Sequence, residues 1–305
     1  MKRVSLHLAA GIVFCLLVAM SASAQVARVF LAGTGNDAGD CTNQATPCRS
    51  LQGAVTACPV NGEIIILDNG GYGSATIDKS LTVNASAGVV AFIARAITVN
   101  IAATDKVVLR GLSMNGVVFG DADGILFNVG GTLVVENSVI AGFATAGIYQ
   151  AADGSNLIVN NCEFRNNVNG VVNQSAGSNT VIENSRFESN GSDGVLVNNG
   201  PANVSIRNSV VANNNGGVAA ISFNSYQPVL IVVDTCTIAH NTEGTHAETA
   251  GAGSAIIVVT NSTIDHNTSG MFLLGAGAAI QSYGNNRVTG NATNSTFSGT
   301  VLPLQ

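Results

Sequence analysis

The chain has 305 residues, with 18 acidic against 12 basic side chains, a formal charge of −6, 35 glycines and no tryptophan. The acidic balance excludes nucleic acid and anionic membrane surfaces as partners, because phosphate binding needs clustered Lys and Arg. High glycine alone would suit disorder, but here it accompanies abundant Val and Ile and a mean hydropathy of +0.35, so the chain buries a large core.

At the N-terminus, Lys2 and Arg3 precede an apolar run from Leu6 to Met20 and the small-residue pattern Ala22-Ser23-Ala24. That is the layout of a secretory signal peptide, residues 1–24, with cleavage expected after Ala24. The run is short for a bilayer span and no second long apolar run follows, so a secreted or periplasmic chain without an integral membrane segment is expected. Residues 25–62 are expected to form an N-terminal strand, a loop and a capping helix. Cys41 and Cys48 enclose six residues of a polar loop and should bridge in an oxidising compartment. Thr46 to Cys58 reads as a short helix, with Thr46 as N-cap, Pro47 as first residue, and Leu51, Ala54, Val55 and Cys58 as an apolar stripe lying on the core.

A repeat occupies residues 63–291. Gly111, Asn137, Asn161, Asn184, Asn208, Thr235, Asn261 and Asn285 mark equivalent points spaced 23 to 27 residues apart. Four and two residues before each anchor stand apolar pairs such as Leu133/Val135, Val204/Ile206 and Ile257/Val259, the alternation of a strand with one face inward. Three residues after it comes a second apolar column, Met114, Ile140, Phe164, Phe187, Val211, Ile238, Ile264 and Val288, and most units continue with a Gly-apolar pair. Units of this size that cannot bury their own face must stack, and strands that return at this interval to pair with their equivalents must be parallel. Right-handed crossovers then give an all-β, right-handed parallel β-helix of roughly ten coils, a rod of about 48 Å. Residues 292–305 form a tail or C-terminal cap.

The Asn column six residues past the anchor, Asn167, Asn190, Asn214, Asn241, Asn267 and Asn291, should stack amide on amide as a structural ladder, and Asn and Gly supply the left-handed backbone angles of sharp bends. Cys162 and Cys236 share a small-residue column three coils apart, about 14 Å, too far to bridge. Opposite charges fall on neighbouring rungs: Glu163 with Arg186, Arg165 with Glu188, and Arg207 between Glu183 and Asp234. Such cross-rung pairs fix register.

This pattern resembles the pectin-lyase-like superfamily of right-handed β-helix proteins over roughly Glu63 to Asn291. The stretch Glu63-Ile-Ile-Ile-Leu-Asp-Asn-Gly-Gly-Tyr-Gly73 looks like the opening coil of its secreted members. The resemblance implies the fold, and an acidic polysaccharide as substrate where members are enzymes. The Asn-Thr-Asp, Asp-Asp, Gly-His-Gly and Arg-Ile-Lys elements of polygalacturonase-like members and the Asp-Pro-His-Glu element of epimerase-like members are missing. Ile264-Asp265-His266 is similar to part of the Trp-Ile-Asp-His element of pectate lyases, without the Trp.

The least repetitive coils offer the candidate site. His240 and His266 share a column on adjacent coils, so their side chains should stand about 5 Å apart. With Asp265 they are the candidate catalytic set, an acid–base group, and Phe223, Tyr226, Glu243 and His246 are the candidate substrate-binding set, with Glu248 beside them. Their spacing matches no zinc signature, and a solvated turn is the simpler reading. Asp121-Ala122-Asp123-Gly124 offers oxygen ligands for Ca²⁺ but lacks the nonapeptide repeats of calcium β-rolls, so a plain turn is favoured and no other cofactor is expected. The regular surface without a complete catalytic constellation points first to a non-catalytic, secreted or envelope scaffold that binds a polysaccharide or cell-envelope glycan. A polysaccharide lyase or hydrolase with a divergent site and an adhesin-like surface protein are the alternatives.

Overall fold

A computed structural model describes residues 27–198, 200–223, 228–293 and 295–303; the signal-peptide residues and Tyr226 lie outside the described residues. Three parallel sheets wind around one apolar core. The first holds eleven strands, from Arg28–Leu31 to Ala278–Ser282, the second ten, from Gly70–Gly71 to Arg287–Thr289, and the third nine, from Ala75–Ile77 to Ser269–Leu274. The fold is the expected right-handed parallel β-helix, with nine complete coils and a tenth that contributes only to the first and second sheets.

The sequence columns become rows of side chains along the rod. Val135, Val159, Ile182, Ile206, Val233 and Val259 register one above another in the first sheet and are buried. In the second sheet Ile140, Phe164, Phe187, Val211, Ile238 and Ile264 do the same, and the Phe164 and Phe187 rings stack at 4.9 Å. Stacking identical strands keeps like side chains in contact at the rung spacing, which is why a single apolar column suffices for each inward face.

Two bends per coil use left-handed residues. The anchors Gly111, Asn137, Asn161, Asn184, Asn208, Thr235 and Asn261 all have φ between 49° and 76°. The second left-handed column lies five residues on: Gly142, Asn166, Ser189, Asn213, His240, His266 and Gly290, with φ between 53° and 73°. The left-handed angle therefore precedes the asparagine ladder rather than falling on it.

The ladder residues are inward. Each Nδ2 donates to the Oδ1 of the next coil's asparagine, at 3.2, 2.9, 3.0, 3.0 and 2.9 Å from Asn167 to Asn291. The second Nδ2 hydrogen goes to a backbone carbonyl of the coil before, for example Phe187 O from Asn214 at 3.1 Å. Each Oδ1 also accepts the backbone N–H of the preceding ladder residue, as Asn241 does from Asn214 at 2.9 Å. Asn190, Asn214, Asn241 and Asn267 thus satisfy both amide donors and use the carbonyl oxygen twice while buried. Just past the ladder, the Gly-apolar pairs have their own cause. A Cβ on Gly170, Gly194 or Gly217 would come within 2.4, 2.8 or 2.3 Å of the next glycine's carbonyl oxygen, so close coil-to-coil approach demands glycine there.

The ends are closed by different means. Cys41 and Cys48 are bridged, with Cα atoms 5.2 Å apart. Cys48 donates its N–H to Phe30 and accepts from Ala32, which extends the chain at this point. The helix therefore starts later than expected: it spans Leu51–Ala57, with Ser50, not Thr46, as N-cap accepting the Gly53 N–H at 3.0 Å. Leu51, Ala54 and Val55 lie on the core as the stripe implied, above the buried Cys58. At the other end Ser298 and Leu302 donate to Ile280 and Ser282 at 2.6 and 2.9 Å, so the tail covers the last strand of the first sheet. Cys162 and Cys236 are free and buried, their thiols pushed up to about 12 and about 11 by burial. No described helix is long and apolar enough to cross a membrane.

Replacing Asn214 with Leu takes the acceptor from the Asn190 N–H and one Asn190 Nδ2 hydrogen and removes a donor from the Phe187 carbonyl and the Asn241 Oδ1, and should cost about 3–5 kcal/mol in urea unfolding. The same change at half-buried Asn291 should cost clearly less. Thr235 is a β-branched residue at φ 55°, where its anchor equivalents are Asn or Gly. Thr235→Asn should raise stability by about 1 kcal/mol in the same measurement.

Candidate functional site

The charged columns have the expected register, with Glu163 opposite Arg186, Arg165 opposite Glu188, and Arg207 between Glu183 and Asp234. Not all the ion pairs follow the rungs. Arg207 reaches Asp234 at 3.2 Å and Arg110 reaches Glu136 at 2.8 Å across coils, but Arg165 closes on Glu163 at 2.9 Å and Arg186 on Glu188 within their own strands. Side chains two apart on a three-residue strand share a face, so the within-strand pair competes with the cross-rung one. Of these, only the cross-coil pairs of Arg207 and Arg110 therefore hold neighbouring coils in register.

His240 and His266 stack as the column implied, ring centroids 5.3 Å apart and planes 26° from parallel. His266 Nδ1 stands 3.2 Å from Asp265 Oδ2, and Asp265 Oδ1 is buried without a hydrogen-bond partner. Both histidines occupy the left-handed bend column, where Asn, Ser and Gly stand on other coils. His is among the residues that tolerate this conformation best, which accounts for their presence in backbone terms.

Glu243 and His246 belong to a separate group on the strand Glu243–Thr249. His246 Nδ1 stands 3.0 Å from Glu243 Oε2 and its Nε2 3.2 Å from Glu248 Oε2, and the ring meets Phe272 edge-on at 4.8 Å. Among the described residues no hydrogen bond, ion pair or ring contact joins this group to His240, Asp265 or His266. Phe223 is exposed just beyond the strand Gly216–Ser222 of the same sheet.

The register of the third sheet extends the His246 group into a face that the sequence did not show. Leu126, Tyr149, Val172, Leu196, Ala219, His246 and Phe272 form one row in register, in which Val172 and Ala219 are buried between larger neighbours. Tyr149 and Phe272 stand five rungs apart, about 24 Å. A flanking row places Asp193, Gly216 and Glu243 on successive rungs, with Asp123 further up the sheet. A Cβ on Gly216 would sit 2.0 Å from Asp193 Oδ1, so that glycine makes room for the carboxylate to lie over its rung toward Glu243.

The electrostatics of this face are one-sided. Asp123, Asp193, Glu243 and Glu248 lie on it, and none of the nine strands of the sheet carries Arg or Lys. Burial pushes the Asp123 carboxyl up to about 6, against one backbone hydrogen bond from Ala146. Burial also raises Asp193, with Glu243 adding to the effect while the Ser192 hydroxyl and His246 oppose it. Tyr149 is raised by burial and by Asp123, and its hydroxyl donates to Gln174 Oε1. Asp123 Oδ1 and Asn198 Oδ1 are buried without hydrogen-bond partners, and both belong to strands of this sheet, whereas His246 Nε2 has Glu248 Oε2 3.2 Å away. Unfilled polar atoms gathered on one face are what a hydroxyl-rich ligand would complete.

Asp121 receives Arg95 Nε at 2.9 Å and the Ala96 N–H at 2.8 Å, while Asp123 turns into the third sheet, so the two carboxylates of the acidic bend do not converge. Among the described residues no group of three or more His, Cys, Asp and Glu is placed to hold a metal ion. Shallow hollows open on other faces, over Val181, Ser205 and Val232 and beside Asn161, Glu163 and Arg186.

Known proteins share this architecture. The pectate lyase Pel9A superposes with a TM-score of 0.55 at 15% identity, covering 90% of this chain and 80% of that one. The A-module of the mannuronan C-5 epimerase AlgE6 of Azotobacter vinelandii gives 0.59 at 15% identity, covering 80% and 83%. XylC in complex with xylose gives 0.55 at 10% identity, covering 86% and 74%. At such identities the likeness shows the fold alone. No curated protein matches the sequence. The family model for the right handed beta helix region matches residues 60–229 and 175–301, and with the nine complete coils described above it shows that this chain belongs to that family.

Proposed function

We propose that this is an exported β-helix protein that binds an uncharged glycan along the outer face of its third sheet, without cleaving it. The observation that carries this reading is the row of Tyr149, His246 and Phe272, set among unpartnered polar atoms and four carboxylates with no basic residue on the sheet's strands. Aromatic faces pack against sugar rings, and carboxylates accept hydrogen bonds from sugar hydroxyls. A polyuronate would meet only like charge here, since recognising its carboxylates calls for Arg or Lys. The length of the row suits an extended oligosaccharide lying parallel to the rod axis. Polysaccharide processing is what the names of the pectate lyase and the epimerase describe, and xylose, a neutral sugar, is bound by XylC. Export follows from the N-terminal sequence and agrees with a disulfide in the N-terminal loop.

A second reading has its own support. Asp265 Oδ1 has no partner, Asp265 Oδ2 lies beside His266 Nδ1, and His240 stacks on His266, so an acid–base pair at this bend would make the chain a lyase or hydrolase.

Binding to a panel of neutral, amino-substituted and uronic-acid oligosaccharides, followed by calorimetry, separates the two. The neutral ligands should bind and the uronates should not. Tyr149→Ala and His246→Ala should each weaken binding by about tenfold, consistent with about 1.4 kcal/mol per contact, and His266→Asn should leave it unchanged. Release of reducing or unsaturated ends from any of these glycans, lost in His266→Asn, would establish the second reading instead.

The raised Asp123 carboxyl gives a pH signature. Its folded value of about 6 lies above the ordinary 3.8, so the unfolded chain ionises first and the folded state loses stability as pH rises between those values, with no further change above. Urea midpoints of the wild type should therefore fall relative to Asp123→Asn across that window, and run parallel above it.

A further inference from the structure

The first sheet turns an apolar stripe outward. Val108, Val134, Ile158, Val181, Val232 and Val258 follow one another rung by rung, interrupted only by Ser205. Ile158 and Val181, at the middle of the stripe, are each 37% exposed. On one flank Asn156, Asn179 and Asn203 lead into Leu230 and Ile256, which widen the stripe. Apolar side chains gathered in one line mark a contact surface, where the same residues scattered singly would not.

The other flank carries charge in a particular order. Arg110, Glu136, Asn160, Glu183, Arg207 and Asp234 occupy six successive rungs. Turned end for end, this series complements itself. Arg110 meets Asp234, Glu136 meets Arg207, and the Asn160 amide meets the Glu183 carboxylate. A slip of one rung either way destroys the match. In one direction Arg110 falls opposite Arg207 and Glu136 opposite Glu183; in the other Glu136 falls opposite Asp234 and Glu183 opposite its own equivalent.

We propose that two copies of this chain pack first sheet against first sheet with their rods antiparallel. The two-fold axis lies along the strand direction, level with the midpoint between the Asn160 and Glu183 rungs. Such an axis keeps each row opposite itself and reverses the order of its rungs. Ile158 of each copy then meets Val181 of the other at the centre of the stripe, with Val108 on Val232 further out and Asn156 on Asn179 along the flank. The ion pairs within each copy, Arg110 with Glu136 and Arg207 with Asp234, stand head to tail across the interface. The charge order is what identifies a second copy as the occupant, because only a copy of the same row needs that row to complement its own reversal. Parallel rods would instead set the charged row against the opposite flank, with Arg110 on Lys106 and Asp234 on Leu230. The face is also large enough. From Thr82 to Val258 the row spans about 34 Å, and with a width of about 18 Å two copies bury roughly 1,200 Å², the lower end of specific interfaces. No residue of the third sheet takes part, so the pairing stands or falls independently of the glycan reading.

Sedimentation velocity of the purified chain over a range of concentrations tests this. The wild type should be a dimer at tens of micromolar. Val181→Lys should weaken the dimer by at least about tenfold with circular dichroism unchanged, since the side chain lies on the surface. Arg207→Glu brings like charge against Glu136 of the second copy, and should also cost about tenfold. Adding Glu136→Arg to it should recover most of that loss. Within one chain the double change sets like charges beside Arg110 and beside Asp234, so recovery can come only across the interface. A wild type that stays monomeric would overturn the proposal, as would a dimer indifferent to Val181→Lys, or an Arg207→Glu defect that Glu136→Arg fails to relieve. A monomer that floats with phosphatidylcholine vesicles, and no longer does so in Val181→Lys, would give the stripe to a lipid surface and overturn it equally.

Discussion

At the bend between the second and third sheets, a primary amide on each of six successive coils has to find two acceptors and supply two lone pairs, all but the last of them buried. It does so only if an identical amide lies one rung above and another one rung below. That requirement ties Asn167, Asn190, Asn214, Asn241, Asn267 and Asn291 to a common line, and with them the rise of those six coils. The left-handed residue before each amide aims it inward, and the glycine just past it lets the next coil approach. Register in the rest of the rod follows from this line, because a slip of one residue would strand several buried polar groups at once.

With register fixed there, the outward surfaces are free to differ, and they do. The first and second sheets spend their arginines on carboxylates of the same strand or the next, as Arg110 with Glu136 and Arg165 with Glu163. The third sheet has carboxylates without arginines, and a histidine held between two of them. Charge is thus sorted by face. A surface with carboxylates and no Arg or Lys on its strands runs down one side, and its row of aromatic and imidazole side chains reaches the sheet edge at Phe272.

The sequence made the coil legible because every turn repeats the same bend, so Asn137, Asn161, Asn184 and Asn208 mark one structural point. It made the stacked histidines legible for the same reason. It misplaced the start of the helix because nothing local shows that Cys48 is already paired with Phe30 and Ala32. It missed the third-sheet face because Tyr149, Asp193 and His246 come from different coils and share no motif; only register brings them into rows. One trace was present: the Gly-apolar segments that become this sheet are without Arg or Lys, while arginines fall in segments of the other two sheets such as Arg186–Glu188 and Ala202–Arg207.

A crystal structure with a neutral oligosaccharide bound is the most direct measurement of the account. Sugar rings should lie over Tyr149, His246 and Phe272 along the rod axis, with hydroxyls on Asp123, Asp193 and Asn198. Density for the sugar at the His240 and His266 bend, or over the first sheet, with the third sheet bare, would contradict it.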